Sequence, residues 1–235
     1  GAPLVPSYVF YDKQEALAWA KATIYPKVFK LKGGAGAANV RLVRSEGEAR
    51  KLIGKAFGRG FPQYDRFAAL KERFRKFRQK QASLFYVLKG IGRLLYTTDF
   101  AKQQPNERGY VYFQEFIPGN DSDLRVIVIG GRAFAVKRFV RENDFRASGS
   151  GAIEFSREAM DERCVALAFE VNKKLSAQVV AYDFVYDEAG NPLIVEICYG
   201  FAVDPYDACP GYWDEGLNWV EGGFVPQEWM VGVLE

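Results

Sequence analysis

Residues 26–40 read Pro26-Lys27-Val28-Phe29-Lys30-Leu31-Lys32-Gly33-Gly34-Ala35-Gly36-Ala37-Ala38-Asn39-Val40. A short β-prone run, Val28 to Leu31, enters a glycine-rich tip, and Val40 to Val43 returns as its partner, which predicts a hairpin. Glycines let a backbone approach a ligand closely and aim several amides at an anion, and Lys30 on the entering strand supplies a point charge for phosphate. The spacing fits neither G-x-x-x-x-G-K-[ST] nor G-x-G-x-x-G. Taken alone, the stretch is as much a mobile turn as a phosphate clamp.

On the N-terminal side, Val9 to Tyr11 reads as a strand. Asp12 and Glu15 form a capping box that opens a helix through Ala22, stopped by Pro26. On the C-terminal side, Ser45 and Glu48 form a second capping box for a helix to about Phe57. Phe67, Leu70, Phe74, Phe77, Leu84, Leu88, Ile91 and Leu95 then follow a 3–4 spacing. This predicts a long amphipathic helix or helical hairpin, broken near Gly90 and Gly92, whose apolar stripe packs on the domain and whose charges are solvated, the alternative being a basic helix that attracts an acidic polymer, nucleic acid or anionic lipid. Residues 101–109 read as a polar loop.

Tyr110 to Ile117, Leu124 to Ile129 and Ala133 to Val140 alternate as three antiparallel strands, with Gly130-Gly131 as a hairpin turn. Ser156 is expected to cap a helix to about Leu175. Val179 to Tyr186 and Leu193 to Cys198 are strands joined by the turn 187–192. Two acids sit in apolar strand contexts here, Asp183 and Glu196. A buried carboxylate is costly unless it is paired or binds a cation, so the two read either as converging magnesium ligands or as salt-bridged structural acids. Arg125, Lys137, Arg138, Arg141 and Arg146 on and after the central strands suit recognition of phosphate or carboxylate, or simply form a solvated basic face. The aromatic tail from Tyr199 through Trp213 to Trp229 reads as a packed extension or as the lining of an acceptor pocket.

Composition removes whole classes of chemistry. The 235 residues contain no histidine, so no Ser-His-Asp triad, His-ligated metal or phosphohistidine is possible within the chain. Hydrophobic residues make up 49% and charged residues 26%, the balance of a folded globular chain of one sizeable domain or two small subdomains. Cys164, Cys198 and Cys209 are too few and too irregular for a zinc site or a disulfide framework, and a reducing cytoplasmic setting is expected. No apolar run is long enough to span a membrane. The chain opens Gly1-Ala2-Pro3 without an initiator Met, so sequence upstream is expected. The net charge of +3 is uneven, because residues 66–108 hold eleven Lys or Arg against Glu72, Asp99 and Glu107. That basic segment lacks a nucleic-acid signature, and no nucleic acid is expected as partner.

These stretches, in this order, resemble the ATP-grasp superfamily, nearest to the branch of ribosomal-protein glutamate ligases, synapsins and D-alanine:D-alanine ligases. The resemblance runs from about Val5 to Gly200. Residues 26–40 are similar to the family's Pro-x-Val-x-Lys strand and glycine-rich loop. Tyr112-Phe113-Gln114-Glu115-Phe116-Ile117-Pro118-Gly119 resembles its adenine hinge, Asp123-Leu124-Arg125 its Asp-x-Arg step, and Asp144-Phe145-Arg146 the Asp-Phe-Arg of the glutamate-ligase branch. The resemblance implies an α+β ATP-grasp fold, two α+β subdomains with ATP bound between antiparallel sheets. The first would be 1–109, with the glycine-rich loop and a basic helical insertion at about 58–108, and the second 110–235, with the metal-binding acids and the aromatic tail.

The same resemblance implies the site. Lys30 would contact the phosphates, with the amides of Gly33, Gly34 and Gly36 cradling them. The backbone of Gln114, Glu115, Phe116 and Ile117 would hold adenine, and Asp123 the ribose. Asp183 and Glu196 would hold Mg2+, while Arg138 and Arg146 would stabilise the transferred phosphoryl group. The implied cofactors are ATP and Mg2+. The implied activity is a carboxylate-amine or carboxylate-thiol ligase acting through an acyl phosphate on a small-molecule or peptide carboxylate and an amine acceptor. An ATP-grasp kinase, or a nucleotide-binding regulatory or interaction protein, is the alternative. The pattern departs from the family at Cys198, where a metal-binding Asn is usual and sulfur is a poor magnesium ligand, and at Ala181, where an arginine is often found. Members usually carry an N-terminal domain, so a missing domain or partner chain is expected to complete the substrate site.

Overall fold

The computed structural model describes residues 1–32, 39–62, 70, 73–74, 77–78, 83–95, 106–141, 144–147, 152–201 and 206–233. Gly33, Gly34 and Gly36 lie outside them. The chain divides into two units, Ser7–Phe116 and the combination of Gly1–Pro6 with Ile117–Glu235.

The first unit is built on a sheet of β1 (Ser7–Phe10), β2 (Lys27–Lys30), β3 (Arg41–Val43) and β4 (Val111–Glu115), in the order β1-β4-β2-β3 and antiparallel throughout. Helix α1 (Lys13–Ala22) starts as the sequence predicts, with Asp12 accepting from the amides of Gln14 and Glu15 at 2.8 and 2.9 Å. Helix α2 (Glu46–Ala56) starts at Ser45, whose hydroxyl accepts from Glu48 N. The Glu48 carboxylate reaches back one residue further than a standard capping box, to Arg44 N at 2.7 Å. Buried Ala16 and Ala20 on α1, and Ala49, Ile53 and Ala56 on α2, form one core with Phe29, Val111 and Phe113 of the sheet. Strand alternation dictates this face: Phe29, Val111 and Phe113 point inward, while Val28, Lys30, Tyr112 and Gln114 take the other side.

Two sequence expectations fail in this unit. The sequence pattern predicts 110–117 as one of three antiparallel strands with the two that follow it, but β4 pairs with β1 and β2, so it belongs to the first sheet, and the chain passes from one unit to the other after Phe116. Alternation identifies a strand without identifying its partner. Helix α3 (Leu84–Leu95) also runs unbroken through Gly90 and Gly92. Gly90 serves close approach instead, since a Cβ there would lie 2.7 Å from Arg73 Cδ and 3.0 Å from Leu70 Cδ1.

The second unit holds β5 (Ser122–Ile129), β6 (Arg132–Phe139), β7 (Ile153–Glu154), helix α4 (Glu162–Leu175), β8 (Val179–Tyr186), β9 (Pro192–Cys198), β10 (Gly211–Asp214), β11 (Trp219–Glu221) and helix α5 (Pro226–Gly232). The strands run β11-β10-β6-β5-β8-β9, with β7 on β6. One sheet face, with Leu124, Val126, Val128, Tyr182 and Phe184, packs on Cys164, Val165 and Ala168 of α4. The opposite face carries Ile127, Ile129, Phe134 and Val136 under Tyr206, Cys209 and Trp229, so the aromatic tail is a packed extension as expected. Helix α4 is capped by Asp161 rather than Ser156, which precedes a separate single turn and makes no capping bond. The carboxylate five residues on is the better acceptor.

Candidate functional site

Cross-strand register brings the charged residues of the second unit together. Asp123 on β5 stands opposite Arg138 on β6, and Arg125 on β5 stands opposite Asp183 on β8. All four project from the sheet face away from α4, and each pair is closed by a two-point guanidinium–carboxylate contact. Arg138 donates to Asp123 through Nε and Nη2 at 2.7 and 2.6 Å, and Arg125 donates to Asp183 through Nε and Nη2 at 2.6 and 2.7 Å. Arg138 Nη2 also reaches Asp183 Oδ2 at 2.8 Å, which links the pairs into one quartet. Arg125 Nη1 extends it to Tyr206 Oη at 3.4 Å. Two acids and two bases in a half-to-fully buried setting leave no net charge, which is the condition under which ionised groups tolerate burial.

The quartet is electrostatically asymmetric. Burial pushes Asp183 up, but Arg138 and Arg125 outweigh it and hold the carboxyl below its ordinary value. Burial pushes the Asp123 carboxyl up to about 6, the Arg138 bond pulls against it, and neighbouring Asp183 adds to the rise. Burial works against charge on both guanidiniums as well, and Asp183 more than offsets it, so both are raised. Protons taken up by this coupled group therefore go first to Asp123.

Glu196 stands opposite Asp183 in the β8–β9 register. A register shift at Asp183/Phe184 inserts one extra residue on β9, so Glu196 shares the charged face while Ile194 is buried with Phe184. Glu196 is exposed, whereas Asp183 is 5% exposed. Cys198 follows, its thiol donating to Gly200 O at 2.9 Å. This donor set fits a single magnesium ion held by Glu196 together with nucleotide phosphates. It does not fit a cation shared with Asp183 while three N–H bonds occupy that carboxylate. Among the described residues no group of three or more His, Cys, Asp or Glu is arranged to hold a metal.

Arg146 lies elsewhere in its interactions. Its guanidinium forks onto Asp144, at 2.9 and 3.0 Å from Nε and 2.6 Å from Nη2, and Asp144 also accepts from Phe145 N and Arg146 N. A groove of ≈ 570 Å³ lined by Asn120, Asp121, Asp123, Lys137, Tyr186 and Asp187 touches the quartet only through Asp123. Asn120 braces its wall by pairing with Tyr186 N and O at 2.8 and 2.9 Å.

In the first unit, Lys30 ends β2 opposite Tyr112, and Gln114 lies opposite Val28 on the same non-core face. Gln114 Nε2 donates to Ser7 Oγ and Tyr112 Oη at 3.1 and 3.2 Å. The exit toward the glycine-rich stretch is fastened where Lys32 N donates to Tyr110 Oη at 2.7 Å. That hydroxyl donates in turn to Glu107, and burial followed by this bond pushes Tyr110 up to about 12. Glu115 takes the opposite face, where Lys27 Nζ contacts both its oxygens at 2.6 Å and Tyr8 Oη donates at 3.0 Å. Its side chain is therefore committed to an ion pair, and Phe116 and Ile117 form the passage between units. Lys27, Tyr8 and Tyr206 were not singled out in the sequence. The i, i+2 spacing of Lys27 and Phe29 was the available signal for the first; nothing local points to the other two.

Residues 90–203 match the model of the RimK-like ATP-grasp domain. The matched stretch includes the whole quartet, Glu196 and the Asp144–Arg146 pair. Over that stretch, just under half of the chain, the sequence is similar to a RimK-like ATP-grasp domain. Solved structures of the same fold include biotin carboxylase from Campylobacter jejuni, at 17% identity and a TM-score of 0.51 over 87% of this chain and 38% of that one. N5-carboxyaminoimidazole ribonucleotide synthetase gives 15% and 0.52 over 92% of this chain and 45% of that one. The ATP-grasp ligase PsnB, solved with a phosphomimetic minimal precursor, Mg and ADP, gives 13% and 0.50 over 100% and 53%. The chain thus spans about half the length, or less, of the solved structures it matches. No curated protein matches it in sequence. No helix among the described residues is long and apolar enough to cross a membrane.

Proposed function

We propose that the chain is the nucleotide-binding part of an ATP-dependent, magnesium-requiring ligase that joins a carboxylate to an amine through an acyl phosphate. The observation that carries the reading is the acid–arginine array of β5, β6, β8 and β9 inside the segment with RimK-like ATP-grasp character. Phosphoryl transfer asks a protein mainly for alignment and for compensation of developing negative charge, which arginines supply without a histidine. Arg138 spends Nε and Nη2 on the two acids, so Nη1 is the edge it would turn to an anionic oxygen. Its carboxylate partners fix the guanidinium in advance, so little reorganisation accompanies the reaction.

In this reading Lys30 and the amides of Gly33, Gly34 and Gly36 bind the phosphates, the 114–117 backbone binds adenine, and Asp123 reaches the ribose. Glu196 would hold magnesium, which supplies further charge compensation on the phosphates. The substrate carboxylate oxygen attacks the γ-phosphorus and the bond to the ADP oxygen breaks. The amine then adds to the acyl carbon, loses a proton, and inorganic phosphate leaves. Arg138, with Arg146 if it exchanges Asp144 for substrate, stabilises the charge at each stage.

Calorimetric titration with ATP and magnesium tests the nucleotide site: binding is expected, weakened at least tenfold by Lys30→Ala, and its absence overturns the reading. Pools of carboxylates and amines then test turnover, with ADP, phosphate and amide as expected products. A second reading, a nucleotide-binding protein without turnover, is favoured by Cys198 and by the double arginine hold on Asp183. Tight ATP binding with no product from any pool selects it.

A further inference from the structure

Helix α3 carries a feature that neither core absorbs. Its apolar stripe was expected to pack on the domain, yet Leu84, Phe85, Leu88 and Ile91 are 56%, 73%, 54% and 47% exposed. They form a continuous surface. At about 100° per residue, Ile91, Leu84, Leu88 and Phe85 follow one another around an arc about 120° wide. Positions 89 and 93, a lysine and an arginine, continue the circuit beyond Phe85. Gly90 and Val87 close it on the side packed against Leu70 and Arg73. Arg73 fastens that side, donating from Nη1 to Tyr86 O at 3.0 Å and stacking 4.0 Å above the Tyr86 ring. The apolar arc is therefore held outward by the helix's own packing.

The charge of the segment selects the occupant. Between Glu72 and Asp99 the sequence contains seven Lys or Arg and no acid. Surface helices that remain in water normally mix both signs, because acids and bases at i, i+4 support one another. A helix whose charged positions are a lysine and an arginine with no acid, beside bulky aliphatic and aromatic residues, matches instead a surface that is apolar inside and anionic at its rim. Nucleic acid would engage the basic flank and leave the arc in water. The helix has 12 residues, about 18 Å at 1.5 Å per residue, too short to span a bilayer and suited to lying in its interface.

We infer that α3 is a membrane-interface helix that seats on an anionic bilayer surface, with Leu84, Phe85, Leu88 and Ile91 in the acyl boundary and the basic flank at the headgroups. Co-sedimentation of the full chain with vesicles tests this, comparing phosphatidylglycerol mixed with phosphatidylcholine against phosphatidylcholine alone. Binding to the anionic vesicles is expected to be at least roughly tenfold tighter, and to fall several-fold when salt rises from 0.1 to about 0.5 M. Phe85→Glu and Leu88→Glu should each abolish it with an unchanged thermal midpoint, since both side chains are exposed. Lys89→Glu with Arg93→Glu should remove the preference for anionic lipid. Equal affinity for neutral vesicles, or no binding to either, overturns the inference. A concentration-dependent dimer disrupted by Leu88→Glu, without vesicle binding, assigns the arc to a second copy and equally overturns it.

Discussion

The quartet on β5, β6 and β8 and the outer surface of α3 treat charge in opposite ways. In the quartet every carboxylate faces a guanidinium at 2.6–2.8 Å and the group is neutral and largely buried. On α3 the sequence supplies bases with no acid to meet them, beside apolar residues that stand about half or more exposed. The contrast separates two uses of the same residue types. Where β register delivers opposite charges to one another, arginine stabilises and positions; where no acid is delivered, it is available to an external anion.

Removing one member of the quartet should have the largest effect. Asp183→Ala strands the buried Arg125 guanidinium and removes one of the three carboxylate bonds of Arg138, and is expected to lower unfolding free energy by about 3–5 kcal/mol, read by urea denaturation. A loss below about 1 kcal/mol would mean the four residues do not act as a closed group.

Acid titration should come next. Because the Asp123 carboxyl is raised to about 6 from 3.8, the folded chain holds that proton more tightly than the unfolded chain. Its contribution is complete below about pH 4 and is lost as pH rises through about 6. Asp183, held low, contributes in the other sense, with stability present above its ordinary range and lost as pH falls. Subtracting the stability profile of Asp123→Asn from that of the wild type should isolate a step on the order of 2 kcal/mol between pH 4 and 7. A flat difference would assign the first proton to another group.

Thiol chemistry sharpens the boundary of the quartet's face. Burial first pushes Cys164 and Cys209 up to about 12, whereas Cys198 stands at the partly open end of β9. Native protein at pH 8 should therefore incorporate one equivalent of an alkylating reagent quickly, at Cys198 by mass mapping. Rapid modification of Cys209 would show that the tail does not seal this side of the sheet.

The smallest effect is expected on α3. Phe85→Ser should change stability by no more than about 0.5 kcal/mol, because the ring is already in water. A loss of 2 kcal/mol or more would place Phe85 in a core and remove the basis of the contrast with the quartet.

Much of the local structure was legible. Asp12 and Ser45 marked the starts of α1 and α2 because a side-chain oxygen three residues before a free amide has one obvious use. The Val179–Tyr186 and Pro192–Cys198 hairpin followed from alternation and a turn-forming linker. The site was legible in its inventory but not in its pairing. Asp183 and Glu196 read in the sequence either as joint cation ligands or as salt-bridged structural acids, and only the structure shows Asp183 paired with Arg125 and Arg138 and Glu196 exposed. The signal for Arg125 existed in the i, i+2 step from Asp123, but which strand would lie opposite it did not.

The sequence by itself determined the absence of histidine, the capped helices and the strand segments, because composition, caps and alternation act over a few residues. Only the tertiary structure decided that β4 belongs to the first sheet, that Asp123 and Asp183 meet Arg138 and Arg125, and that the α3 arc faces outward. Those outcomes depend on register between strands far apart in the chain and on which helix face finds a partner, and no local pattern specifies either.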